Sequence, residues 1–156
     1  MSDIFKRIEK ERGMLARIYA DFAAFPASVE AHLGMNKALI LSESAPLPRH
    51  ERGFLAYKTS EANGNDYCRS HHVEAFKNHA AGKDAGSRPR LLEELAVALT
   101  RSPASAAALH ARFLAAGFTE QEWQHAVNVV SYFNYTNRFA FAMGISVESG
   151  FEKSCG

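Results

Sequence analysis

The stretch TEQEWQHAVNVVSYFNYTNRFAFAMG, residues 119–144, decides the fold class of this chain. Thr119 followed three residues later by Glu122 forms a capping box, which marks the start of a helix. Apolar and aromatic residues then continue without proline or glycine until Gly144, and glycine commonly ends helices. The sequence therefore predicts a long helix over residues 119–143.

Helical patterns also fill the N-terminal half of the chain. Apolar residues recur at mostly helical spacing over residues 5–22, which predicts a first helix. Pro26 suits the first turn of a second helix. A third helix is expected over residues 48–62, because the dipeptide Asn63-Gly64 is a strong turn signal.

The remaining segments continue the helical series. Asp66 is the expected cap of a fourth helix, and a loop rich in Gly, Lys, Ser and Pro is expected at residues 80–90. Ser102 and Pro103 resemble the cap and first-turn proline of a later helix. Runs of alternating Val, Ile and Thr are missing. We therefore predict one all-α domain of about seven helices over residues 1–156, whose last part, 146–156, is a mobile tail.

Composition narrows the classes of function. The chain has 18 Lys and Arg against 17 Asp and Glu, which gives no sign of a nucleic-acid surface. No apolar run reaches the ~20 residues of a membrane span, and the charged start lacks the apolar segment of a signal peptide. Two cysteines, Cys68 and Cys155, cannot build a disulfide framework. We expect a cytoplasmic protein that binds neither nucleic acid nor membrane.

The segment NGNDYCRSHH, residues 63–72, holds the candidate site. If Asp66 is the cap, Cys68 lies in the first helical turn, where unpaired N–H groups and the helix dipole lower the pKa of a thiol. His72 follows four residues later on the same face and can accept the thiol proton. These two residues are the candidate catalytic pair for chemistry at sulfur. The alternative is a buried, inert cysteine.

A metal site is a second alternative at the same place. Cys68, His72 and His79 lie near one stripe of the helix, since seven residues are close to two turns. No Cys-x-x-Cys pair accompanies them, His71 is expected to point elsewhere, and three ligands on one helix must converge to hold zinc. We therefore expect no metal and no other cofactor.

Polar residues interrupt the aromatic series of the last helix at Asn134, Asn137 and Arg138. Polar groups in a buried helix need hydrogen-bond partners. These residues either clamp helices together or form a wall of the site. His32 is a weaker candidate for the site, because it has no polar neighbour in sequence to orient it.

The segment NDYCRSHH resembles the active-site motif of the AhpD-like superfamily, which includes alkylhydroperoxidases and carboxymuconolactone decarboxylases. Tyr67, Cys68 and His72 match the second half of its Cys-x-x-Cys-x-x-x-His pattern. LPRHERGFLAYKTSEANGNDYC resembles the helix leading into that motif. LAAGFTEQEW and VVSYFNYTNRFAFAMGI resemble the C-terminal part of peroxidase-related members. The resemblance covers residues 15–145, and it implies an all-helical fold and assembly into trimers, hexamers or related homo-oligomers.

Two positions depart from the pattern of that family. The first motif cysteine falls at Asn65, which cannot form a disulfide, and the upstream glutamate falls at Gly53, which cannot move a proton. This motif therefore cannot run a cycle that oxidises two vicinal thiols to a disulfide. Glu61 is a candidate site neighbour at the end of the preceding helix, whereas Glu51 is expected to face solvent.

The leading hypothesis is peroxide or thiol redox chemistry by one cysteine. Cys68 would react with a small-molecule peroxide and become a sulfenic acid. His72 would be its proton partner. The candidate substrate-binding residues are Tyr67, Asn65 and Glu61.

Reduction of that product needs an external thiol or Cys155, although a terminal cysteine is more often idle.

Two other hypotheses stay open. One is a lyase of the carboxymuconolactone decarboxylase type, in which His72 acts as acid or base on a small organic acid. The other is a binding or scaffold protein that has lost its chemistry, because one fold hosts many functions.

Overall fold

The computed structural model describes residues 3–80, 87–147, 149 and 150. Over these ranges the chain forms eight α-helices and no strand, which confirms the all-α class. The helices are α1 (Asp3–Arg12), α2 (Arg17–Asp21), α3 (Pro26–Asn36), α4 (Arg49–Asn63), α5 (Asp66–Ala80), α6 (Ser87–Arg101), α7 (His110–Ala115) and α8 (Glu120–Ala142). Of the helices in these ranges, none is long and apolar enough to cross a membrane.

Most of the predicted mobile tail, residues 146–156, lies outside the described residues, as does Cys155.

Short turns connect several of the helices. A 3-10 turn follows α2, a second one precedes α7, and a wider π-type turn extends α3; they span Phe22–Ala24, Pro103–Leu109 and Lys37–Leu41.

The N-terminal helical pattern divides into two helices. Residues 5–22 were expected to form one helix, but α1 ends at Arg12 and α2 begins at Arg17. Gly13 has a φ angle of 79° between them. This left-handed conformation is easy for glycine and ends an α-helix.

The start of α5 and the start of α6 also differ from the expectation. Asn65, rather than Asp66, caps α5, because its side-chain Oδ1 accepts the backbone N–H of Cys68 at 3.0 Å. Asp66 is the first helical residue instead. α6 begins at Ser87, inside the predicted loop at residues 80–90.

The boundaries of the longest helix agree with the capping signals in the sequence. The N–H of Glu122 donates to Thr119 Oγ1 at 3.1 Å, and the N–H of Thr119 donates to Glu122 Oε2 at 2.8 Å. Gly144, with a φ angle of 64°, follows the last turn of α8. The helix therefore begins and ends where local hydrogen bonding predicts.

The buried apolar residues form two clusters, and α4, which belongs to one of them, packs against α5, α6 and α8. The C-terminal core includes Leu55, Leu92, Leu95, Phe113 and Val129. The N-terminal core includes Ile8, Ile18, Val29, Tyr67 and Cys68. α8 contributes to both, because its middle belongs to the first and its Ala140 to the second.

The polar residues of α8 clamp helices together, as one of the two predicted roles requires. Asn63 Nδ2 donates to Asn134 Oδ1 at 2.9 Å, and Asn137 Nδ2 donates to Ser60 Oγ at 3.2 Å. Arg138 also donates to Asn134 Oδ1, at 2.9 Å. The first two bonds tie α8 to α4 through groups that would be costly to bury unpaired, whereas the bond of Arg138 lies within α8.

Glu51 is buried, with only 6% of its surface exposed, so the expectation that it faces solvent was wrong. Arg88 of α6 donates Nε to Glu51 Oε1 at 2.7 Å and Nη2 to Glu51 Oε2 at 2.9 Å. The same Nη2 donates to Glu122 Oε1 at 2.7 Å. We call Glu51, Arg88 and Glu122 the Arg88 cluster. The two carboxylates raise the pKa of Arg88 and keep it charged.

Candidate active site

A cavity of about 110 Å³ lies where the N-terminal and C-terminal cores meet. Tyr67 and Cys68 of the N-terminal core line it, and so do Ala56 and Tyr132 of the C-terminal core. Leu41 is 38% exposed and also lines it, which marks the side that opens to solvent. The cavity is therefore enclosed by packed side chains at one end and accessible at the other.

Helix α5 supplies four lining residues, Tyr67, Cys68, His71 and His72. Tyr67 and Cys68 are followed one helical turn later by His71 and His72. Residues four positions apart lie on the same face of a helix. The structure thus brings the predicted residues Tyr67, Cys68 and His72 to one cavity. His71 lines it as well, so the expectation that it points elsewhere was wrong.

The thiol of Cys68 is buried and protonated. Only 2% of the residue is exposed, and burial raises the pKa of the thiol to about 12. The residue does lie in the first turn of α5, as predicted, but the expected lowering of its pKa is not found. A thiolate at this position would lose its hydration, and this cost exceeds the effect of the helix dipole.

His72 is held in its neutral form. Its ring packs edge-on against Phe133, with the ring centroids 4.3 Å apart. Burial is the main reason that the pKa of His72 falls to about 3, and the positive charges of His71, Arg49 and His32 lower it further. A neutral imidazole has one nitrogen that accepts a proton. His72 is thus a base one helical turn from the thiol of Cys68.

His32 is a lining residue that the sequence did not single out. Its ring stacks on Phe22, with centroids 5.0 Å apart, and meets Tyr19 edge-on at 5.3 Å. The hydroxyl of Tyr132 lies 3.3 Å from His32 Nε2. One signal was present in the sequence: His32 follows the apolar Val29 by three residues, and residues at this spacing share one side of a helix.

The remaining two candidate residues fall outside the lining of the cavity. Asn65 is 3% exposed and uses both ends of its amide, because it caps α5 and its Nδ2 donates to the carbonyl of Asn137 at 3.1 Å. Glu61 accepts hydrogen bonds from Lys58 Nζ at 2.9 Å and from the Tyr57 hydroxyl at 3.0 Å on the surface of α4. Their predicted contact with substrate has no counterpart in the geometry.

Gly53 lines the cavity at the position where the resemblance places a glutamate. A Cβ atom at this position would lie 3.4 Å from the Cα atom of Phe76. This distance is at the short end of ordinary van der Waals contact, so α4 and α5 pack closely at Gly53. The glycine also leaves the cavity wall without a carboxylate at that position.

The metal alternative finds no support among the described side chains. In that part of the chain, no three His, Cys, Asp or Glu residues form a group that could hold a metal ion. The side chain of His79, the third predicted ligand, lies outside it.

No protein-family model matches the chain, and no curated protein matches its sequence. Several solved structures do match. An uncharacterized peroxidase-related protein from Silicibacter sp. TM1040 is 24% identical, with a TM-score of 0.82 over 98% of this chain and 87% of the other. A second one, from Ralstonia eutropha JMP134 and described as an alkylhydroperoxidase AhpD core, is 20% identical, with a TM-score of 0.86 over 99% and 90% of the two chains.

The debrominase Bmp8 has a similar structure. It is 20% identical, with a TM-score of 0.75 over 97% of this chain and 88% of its own. A variant of Bmp8 with one cysteine replaced by alanine has been solved in complex with 2,3,4-tribromopyrrole. At these identities the likenesses establish a common fold.

Proposed function

Because the chain has the AhpD-like fold of these peroxidase-related proteins, we propose that it is a thiol oxidoreductase acting on a small molecule. Cys68 is the reacting group and His72 is its proton acceptor. One observation carries the proposal: the two side chains lie one turn apart on α5 and line the same cavity. In the resting protein the thiol proton stays on Cys68, because the pKa of the thiol is about 12 and that of His72 about 3. The proposal therefore requires bound substrate to stabilise the thiolate and the imidazolium as they form.

The reaction with a hydroperoxide needs one base and one external reductant. His72 takes the thiol proton, and the sulfur of Cys68 attacks the terminal peroxide oxygen. A sulfur–oxygen bond forms, the oxygen–oxygen bond breaks, and the leaving alkoxide takes the proton back from His72. Cys68 is then a sulfenic acid. Two external thiols reduce it to the thiol and become a disulfide, with release of one water.

The burial of Cys68 supports selectivity for molecules that enter the cavity. In the resting protein the thiol is protonated, so reagents in bulk water meet almost no thiolate. A bound substrate excludes water and is held next to the base, which raises the effective concentration of the reacting groups. We propose that the cavity also accepts a second class of molecule, flat ring compounds like the 2,3,4-tribromopyrrole of the debrominase complex.

The test compares two reagents on the same thiol, in protein whose second cysteine is removed by Cys155→Ser. We expect tert-butyl hydroperoxide to oxidise folded Cys68 at least as fast as the urea-unfolded chain, while iodoacetamide reacts far more slowly with the folded form. Intact mass after trapping of sulfenic acid measures both reactions. His72→Ala should slow the peroxide reaction by about 100-fold, the lower range for loss of a general base.

His110→Ala is the matched control, because His110 pairs with Glu120 on the surface, away from the cavity. It should leave the oxidation rate unchanged. A peroxide reaction that is suppressed on folding as strongly as alkylation would contradict the proposal. It would support a binding protein with an inert thiol, a second candidate favoured by the 2% exposure of Cys68.

A further inference from the structure

One side of the cavity is formed by α3 and by the π-type turn that extends it. His32, Asn36 and Ile40 line the cavity at every fourth position, which is the spacing of one helix face. Leu41 lines it as well. Among the described lining residues Leu41 alone is exposed, with 38% of its surface open to solvent, whereas the others are buried or half-buried. Its side chain therefore borders the opening of the cavity.

The π-type turn accounts for the position of Leu41. Five residues of a regular α-helix turn through about 500°, so Leu41 would face about 140° away from Asn36. In the structure the N–H of Ser42 donates to the carbonyl of Lys37 at 2.9 Å, a bond that spans five residues instead of four. The wider turn rotates each residue less, which brings Leu41 back towards the cavity side of Asn36. Turns of this type are frequent at functional sites.

Side chains of α4 and α8 hold this turn from outside the cavity. Arg52 Nη1 donates to the carbonyls of Ile40 and Ser42, at 2.5 and 2.8 Å. His125 Nε2 lies 3.0 Å from the carbonyl of Leu39. Neither Arg52 nor His125 lines the cavity. Carbonyls at the end of a helix need such donors, and a positive group there is stabilising. The backbone of the turn is therefore fixed by contacts that a substrate does not touch.

We propose that Leu41 selects substrates by their width, because the fixed turn holds its side chain at the opening through which a molecule reaches Cys68. The volume behind it, about 110 Å³, is well below the ~300 Å³ at which pockets begin to hold drug-sized ligands. Packed side chains yield little to added atoms. Narrow molecules therefore pass Leu41 and broad ones are excluded. The inference rests on the proposed function, since it takes Cys68 as the reacting group, and it names the residue that limits the size of its substrates.

Two maleimides that share one reactive group test the inference in the Cys155→Ser protein, in which Cys68 is the remaining thiol. The sulfur of Cys68 adds to the same double bond in N-methylmaleimide and in N-cyclohexylmaleimide, so the two reagents differ mainly in width. Intact mass measures both rates, and the size ratio is the rate with the methyl reagent divided by the rate with the cyclohexyl reagent. We expect this ratio to be about tenfold or more higher in the folded protein than in the urea-unfolded chain.

Variants of Leu41 should change the size ratio in opposite directions. Leu41→Ala should bring it to within about threefold of the unfolded value, and Leu41→Trp should raise it above that of the unaltered residue. A change in the pKa of Cys68 affects both rates alike and leaves the ratio unchanged. A looser fold can only lower the ratio, so the tryptophan variant separates selection by width from loosening.

Val97→Ala is the matched control, because Val97 is 39% exposed on α6 and does not line the cavity. It should leave the size ratio unchanged. Thermal melts confirm that each variant is folded, and the comparison of folded with unfolded chain in the protein with Leu41 intact needs no variant at this position.

The outcomes separate the inference from the proposed function. Equal size ratios in the folded and unfolded chain, or a folded ratio that Leu41→Ala leaves unchanged, would overturn the role of Leu41, even if hydroperoxide oxidises Cys68. A ratio that follows the size of the side chain at position 41, in a protein whose thiol is inert towards hydroperoxide, would support the role of Leu41 and remove the redox proposal.

Discussion

The cavity and the Arg88 cluster are two places where charged or ionisable groups are buried in the same bundle, and they are built in opposite ways. In the Arg88 cluster one guanidinium makes three hydrogen bonds to two carboxylates, all between 2.7 and 2.9 Å. In the cavity, the basic residues His32, Arg49, His71 and His72 line one volume, and no Asp or Glu is among the described lining residues. The first arrangement pairs its charges, whereas in the second burial and the neighbouring basic groups hold His72 in its neutral form.

This difference distinguishes a structural cluster from a candidate site. Paired charges across α4, α6 and α8 fix helix positions and have no binding capacity left for a guest. The cavity instead groups several basic side chains around one volume, and an ionisable residue with a strongly shifted pKa in such a cleft is a candidate for a functional site. Four experiments test this contrast.

The largest expected effect is on the reactivity of Cys68. Because burial raises the pKa of this thiol from about 9 to about 12, we expect iodoacetamide to alkylate it roughly 1,000-fold more slowly in the folded protein than in the urea-unfolded chain. The measurement uses the Cys155→Ser protein at pH 8. The folded rate should rise about tenfold per pH unit up to pH 10. Equal rates in the two states would show that the cavity does not suppress the thiolate.

In the Arg88 cluster, Arg88→Ala should destabilise the protein by about 3 kcal/mol, because it leaves the buried carboxylate of Glu51 without a partner. Urea unfolding measures the loss. Arg90→Ala, which removes an exposed arginine from the same helix, should cost less than about 0.5 kcal/mol. If both variants cost the same, the cluster is not the clamp that its geometry indicates.

The free energy of unfolding should fall in acid because of His72. Its pKa is depressed in the folded state, so its contribution to stability is present above pH ~6.5 and is lost as the pH falls towards 3. His71, Arg49 and His32 are the charged neighbours that oppose its protonation. Between pH 7 and 4.5 we expect the free energy of unfolding to fall by about 2 kcal/mol more than in His72→Gln. Parallel pH profiles for the two proteins would mean that His72 titrates normally.

The smallest effect is expected at Asn65, the cap of α5. Asn65→Ala removes the cap of the Cys68 N–H and the hydrogen bond to the Asn137 carbonyl. The loss should be about 1.5 kcal/mol in urea unfolding. Asn65→Ser, which can still cap α5 but is too short to reach Asn137, should recover about half of it. No recovery would assign the whole effect to the bond with α8.

Local hydrogen bonding explains which helix boundaries could be predicted. The box between Thr119 and Glu122 needs only neighbouring residues, so the sequence fully determines it. The start of α5 was harder to place, because Asn65 and Asp66 are both good caps and adjacent in sequence. Asn65 takes the role since its amide also reaches Asn137, 72 residues away.

The site was predicted only where a single helix contains it. Cys68, His72 and Tyr67 lie within six residues of one another, so helical spacing was enough to group them. His32 and Arg49 join them through helices that pack from elsewhere in the chain. The burial of Glu51 likewise depends on Arg88, 37 residues further along. No local pattern reports such contacts.

By itself, the sequence determined the helical class, most of the helix limits, and a thiol one turn before an imidazole. These features depend on interactions between residues within about one helical turn of each other. Only the tertiary structure decided the chemical state of that pair. Burial between two cores holds Cys68 protonated and His72 neutral, because the energy of a charge depends on the water and charges around it, which distant segments supply.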